Sequence, residues 1–142
     1  MLEIPVVYLS RYLIQHKAEY YRRLRAVTED GDWEGWLLYM LQGIEETARW
    51  TTGRIEAIRA LMDETGARVR KELPGYYSHE LLELVHTQPY CRIEDYVRAG
   101  LGHRETASIH LNALVEVGVL EKERVGRQVA FIYPALLEVL RQ

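Results

Sequence analysis

Apolar residues recur at helical spacing through the first half of the chain and change to strand-like alternation near its end. In residues 10–27, SRYLIQHKAEYYRRLRAV, the positions Leu13, Ile14, Tyr20, Tyr21, Leu24 and Val27 fall at helical intervals, and Ser10 is suited to cap the start. Lys17, Arg22, Arg23 and Arg25 lie largely off that stripe, and Thr28-Glu-Asp-Gly31 breaks it. Asp32 is a good N-cap for a second helix, whose apolar or small positions are Trp33, Trp36, Leu37, Met40, Leu41, Ile44, Ala48, Thr51, Ile55, Ile58 and Met62. That is 3–4 spacing over about eight turns. No proline interrupts it before Pro74. A helix of about 30–40 residues reaches roughly 45–60 Å, longer than a small domain is wide. It is therefore expected to kink near Gly43, Gly53 or Gly66, to project, or to pack on a partner. The stripe from Ile44 to Met62 is spaced for helix pairing with a second copy, and equally for packing inside one chain.

Leu73-Pro74-Gly75 is the Pro-Gly punctuation in the middle of the chain. It sets the expected domain boundary, with a helical segment over 1–73 and a second domain over 77–142. In that second part Ser78 caps a helix whose apolar face is Leu81, Leu82 and Val85, and Pro89 ends it. RIEDYVRA follows as a helix burying Ile93, Tyr96 and Val97, and stops at Gly100-Leu101-Gly102. A third helix, in GHRETASIHLNALVEVGVL, turns Ala107, Leu111, Leu114 and Val115 or Val117 inward, with Gly118 supplying the exit turn. Val119 to Glu123 alternates like a strand, Val125-Gly126-Arg127 turns, and Val129 to Tyr133 returns. Pro134 opens a last short helix. The predicted fold is mainly α, with a winged helix-turn-helix carrying a two-stranded β wing.

Composition narrows the function classes. Hydrophobic content of 48% and charged content of 27% are those of a folded globular chain. No run of about 18 apolar residues is present, so no membrane span is expected. The start lacks the basic region and small-residue cleavage site of a signal peptide. Cys91 is the single cysteine, which excludes an intramolecular disulfide and makes a reducing, cytoplasmic setting the expectation. The net charge is −3 for the chain; residues 77–142 hold 7 Lys+Arg against 9 Asp+Glu, or −2. Neither value marks a general polyanion binder.

PVVYLSRYLIQHKAEYYRRL with GDWEGWLLYMLQGIEETARWT resembles the region of Fic/Doc-family proteins immediately downstream of their catalytic loop. SHELLELVHTQPYCRIEDYVRAGLGHRETASIHLNALVEVGVLEKERVGRQ resembles the winged helix appended to many bacterial Fic proteins. The resemblance implies a protein that transfers AMP from ATP to a target hydroxyl, through a His-Pro-Phe-x-Asp/Glu-Gly-Asn-Gly-Arg loop. No His-Pro and no Gly-Asn-Gly occurs in these 142 residues. The Ser/Thr-x-x-x-Glu-Gly/Asn inhibitory pattern is likewise missing: Thr52 and Glu56 are spaced for it, but Ala57 follows. The resemblance therefore implies a fragment or truncated relative with no catalytic residues, no cofactor and no enzymatic activity of its own.

The remaining chemistry is sparse. His79, His86, Cys91, His103 and His110 match no ligand spacing, so no metal site is expected. Asp32/Glu34 and Glu45/Glu46 sit at solvated helix positions, and Leu101-Gly102-His103 is too short to cradle a phosphate. Binding chemistry is concentrated on the third helix and the wing. Arg104 suits guanine or a phosphate, Ser108 a phosphate, Ile109 a thymine methyl and Asn112 an adenine, with Arg124 and Arg127 at the wing for backbone or minor groove. Glu105 on the same face, and Glu121 and Glu123 beside the wing, oppose duplex DNA, which attracts basic footprints. Two partners stay open at this point: double-stranded DNA, and a protein or second copy.

Overall fold

The computed structural model describes residues 8–126 and 128–141. Two helices stand where one was expected over 10–27: α1 (Leu9–Gln15) and α2 (Lys17–Asp30). His16 leaves the helical region between them, at φ −114° and ψ 36°, while its backbone N–H still donates to the Tyr12 carbonyl at 2.9 Å. Ser10 is not the cap. Tyr8 occupies the N-cap position without a side-chain bond, and Ser10 is already the second helical residue. α2 continues through Thr28, Glu29 and Asp30 and ends at Gly31, whose φ of 70° suits glycine.

Asp32 performs as the sequence predicts. Its Oδ1 accepts from the Gly35 N–H at 2.9 Å and opens α3 (Trp33–Glu72). Glu34 in its first turn and Arg70 and Lys71 in its last complement the helix dipole. The helix runs without interruption through Gly43, Gly53 and Gly66. Gly43 has a packing reason: a Cβ there would meet the Tyr12 ring at 2.6 Å, so only a glycine lets α1 approach so closely.

By its contacts the chain forms one unit up to Ile55 and another from Glu56. In the first unit Tyr12, Tyr39 and Thr47 are buried, with the tyrosine rings 5.4 Å apart and Thr47 donating to the Gly43 carbonyl at 2.7 Å. Ile14, Tyr21 and Leu24, on the stripe read from the sequence, are instead exposed.

The second unit takes up the rest of α3 and adds α4 (His79–Thr87), β1 (Tyr90–Cys91), α5 (Ile93–Arg98), α6 (Arg104–Glu116), β2 (Glu121–Val125), β3 (Gln128–Ile132) and α7 (Pro134–Arg141). Ser78 Oγ accepts from the Leu81 N–H at 3.0 Å, the predicted cap of α4. The three strands are antiparallel in the order β1-β3-β2, with Ile132 facing Tyr90 on one side and Glu121 on the other. Three helices followed by the β2–β3 hairpin make a winged helix. β1 was not expected, since its two residues owe their strand form to pairing with β3. Ala107, Leu111 and Leu114 are fully buried beside Leu81, Val85, Tyr96, Leu120, Phe131, Tyr133 and Leu136. Each such leucine contributes about 1.5–3 kcal/mol by burial. Val69, from α3, belongs to the same core, and Ile58, Leu61 and Met62 pack against it. Val97 departs from expectation: it is 38% exposed.

Candidate recognition face of the winged helix

α6 presents its outer side from Arg104 to Glu116. Its inner side is held at more than the apolar core: His110 Nδ1 is hydrogen-bonded to the Tyr96 hydroxyl at 2.8 Å, and the Tyr76 ring meets the imidazole edge-on at 5.2 Å. Gly118, at φ 70°, turns the chain into the wing as the sequence predicts.

Four of the six candidate residues share α6. Arg104 is exposed, with Nη1 3.7 Å from Glu94 Oε1 on α5. Ser108 is half-buried; its Oγ accepts from Asn112 Nδ2 at 3.3 Å, and its carbonyl accepts from the same nitrogen at 2.6 Å. Asn112 Oδ1 in turn accepts from Lys122 Nζ at 2.9 Å. Both ends of the Asn112 amide are thus committed inside the protein, in a staple from α6 to β2. Ile109 is the apolar projection on this face, 55% exposed.

Arg124 lies on β2, exposed, in register with Val129. Side chains alternate along a strand, so Lys122 and Arg124 share one side of β2. That side is the one facing α6, since Lys122 reaches Asn112 and lies 5.8 Å from the Phe131 ring centre. Arg127 falls outside the described residues. Lys122 was missed in the sequence. The alternation of Glu-Lys-Glu-Arg-Val could have found it, because it pairs Lys122 with Arg124 on one face.

The charges nearly cancel. Arg104 sits against Glu94, Arg98 against Asp95 at 3.3 Å, and Glu105 and Glu116 stand exposed on α6 itself. These are solvated pairs, each worth at most about 1 kcal/mol, but they remove net positive potential where DNA would lie. Cys91 carries no nucleophilic chemistry: it is buried, and burial with the nearby Asp95 pushes its thiol up to about 12. Among the described residues, no group of three His, Cys, Asp or Glu side chains is placed to hold a metal ion, and no helix is long and apolar enough to cross a membrane.

Residues 61–136, a little over half of the chain, match the family model described as the C-terminal domain of SoFic-like protein adenylyltransferases. The matched span starts inside α3 and ends in α7, so it takes in the last turns of the long helix together with the winged helix.

Proposed function

Because the chain belongs to the family of C-terminal domains of SoFic-like protein adenylyltransferases, we propose that it is a regulatory docking module for a Fic-type AMP-transferase, and that it contacts protein through the outer face of α6 and the adjoining side of β2. The observation that carries this reading is the Ser108–Asn112–Lys122 staple. It occupies the amide best suited to read adenine and leaves Ile109 as the exposed centre of a charge-balanced surface. A module of this kind positions an AMP-transferring domain, or its target, and performs no chemistry itself.

A second reading, binding of duplex DNA, is favoured by one observation: Lys122 and Arg124 stand on the side of β2 that faces α6, where a wing meets a phosphate backbone. Two measurements on one set of variants separate the readings. AMP transfer by a Fic catalytic domain joined to this chain is expected to change with Ile109→Glu, the helical circular dichroism staying constant. A random duplex pool at low salt is expected to show no saturable binding. Duplex binding that falls steeply with salt, and that Lys122→Ala with Arg124→Ala weakens, would replace the docking reading with the DNA one.

A further inference from the structure

We propose that Arg68 of α3 is a positioning residue for the recognition face: it caps the C-terminal end of α6 and thereby fixes the turn that joins α6 to β2. α6 ends weakly on its own. Its last turn holds no basic residue, and its final residue, Glu116, puts a carboxylate where the helix dipole is already negative. The carbonyls there have no partner in the helical ladder and must find one elsewhere. Four N–H groups serve the earlier ones: Val117 donates to the Ala113 carbonyl at 3.2 Å, Gly118 to Val115 at 2.9 Å, and Val119 and Leu120 both to Leu114, at 2.9 and 3.2 Å. The carbonyl of Val117, the C-cap itself, accepts from Arg68 Nη2. One guanidinium thus supplies both a donor and the positive charge that the last turn of α6 lacks.

α3 is built to hold that guanidinium in place. Arg68 Nε donates to Glu72 Oε1 at 3.3 Å, which leaves Nη2 for Val117. Thr65 and Val69, on either side, are both buried; the first is bonded to Tyr133 and the second lies in the winged-helix core, so the backbone that carries Arg68 is fixed. Gly118 follows the capped carbonyl directly, and a Cβ there would sit 3.7 Å from Arg68 Nη2. From it the chain runs through Val119 and Leu120, both buried, into β2. α6 and β2 are therefore tied twice: along α6 by Asn112 and Lys122, and at their shared turn by Arg68. Ile109 and the Lys122 side of β2 keep their relative placement while both ties hold. On the docking reading above, on which this consequence rests, α3 regulates the recognition face through Arg68.

Amide exchange of the full chain tests the positioning role and needs no partner. Arg68→Ala is expected to speed exchange at Val117, Gly118, Val119 and Leu120 roughly 3–10-fold, with α4 unchanged as the internal reference. The Arg68 side chain is 47% exposed, so the fold should survive its loss. Adding Glu116→Lys should recover most of the protection, because a cation in the last turn of α6 replaces the one taken from α3. A side chain that merely packed would show no such rescue. AMP transfer by a Fic catalytic domain joined to the chain reads the consequence: Arg68→Ala should shift it in the same direction as Ile109→Glu. Unchanged exchange at the four amides, acceleration shared equally by α4, or no recovery with Glu116→Lys would each overturn the proposal. So would transfer that responds to Ile109→Glu and ignores Arg68→Ala. Transfer indifferent to Ile109→Glu would sink the docking reading instead, and the exchange pattern would still decide the role of Arg68.

Discussion

The hydroxyls of Thr65 on α3 and Tyr133 after β3 are hydrogen-bonded to each other in a setting where the two residues are 6% and 2% exposed. Tyr133→Phe removes one partner and leaves the Thr65 hydroxyl buried without it. Such an orphaned group costs about 1–3 kcal/mol, and Thr65→Val should cost a similar amount for the reciprocal reason. The double variant removes both hydroxyls with little change of shape, so it should be less destabilised than the two singles added together, by about 1–2 kcal/mol. For a unit of this size each kcal/mol corresponds to about 4–8 °C in melting temperature. Trp33, Trp36 and Trp50 all belong to the first unit, so tryptophan fluorescence would follow the wrong transition. Amide exchange of α4 and α6 in a urea series reports the right one. A pH series adds an independent check. Burial raises the Tyr133 phenol above its ordinary value of 10.0, partly offset by Thr65. The unfolded phenol therefore ionises first: this contribution is complete below pH 10 and is lost as pH rises past it. Tyr133→Phe should flatten that alkaline loss. The reasoning fails if Tyr133→Phe costs less than about 0.5 kcal/mol, or if the double variant costs the full sum.

Cys91 should resist a disulfide-exchange reagent at pH 8 in the native protein and react fully in urea, because its thiol is buried and titrates near 12; rapid native labelling would contradict the packing around it. His86 should make the winged helix acid-sensitive. Burial lowers its folded pKa below 6.5, so the stability it supports is present above pH 6.5 and lost as pH falls through the folded value. Its Nε2 is buried without a partner, and His86→Leu should reduce the drop in urea midpoint between pH 7.5 and 5.

Much of the winged helix was legible because each of its signals is local. Ser78 caps by a side-chain oxygen three residues from its donor, and Gly118 is needed where φ is positive. Ala107, Leu111 and Leu114 recur at a period that only a buried helix face explains. Features that depend on distant strands or helices were not legible. Asn112 looked outward on a helical projection, but β2 delivers Lys122 to its amide. β1 exists through β3, and no glycine or proline announces the break at His16. Periodicity also marks which side of a helix is apolar without saying what covers it. Tyr21 and Leu24 on α2, and Leu37 and Leu41 on α3, fit the pattern and remain open.

The participation of α3 in the winged-helix core bears on how such a domain travels between proteins. Val69 is fully buried there, and a Cβ on Gly66 would lie 3.2 Å from a methyl of Leu82 on α4. A gene fusion cut at the Pro74-Gly75 turn would carry off α4 to α7 but abandon the helical turns that seal them. Grafts or recombination events that keep the domain intact must cross over upstream, within the long helix, where a foreign sequence has to maintain both helical phase and the apolar side. That requirement couples the inheritance of the winged helix to the helix that precedes it.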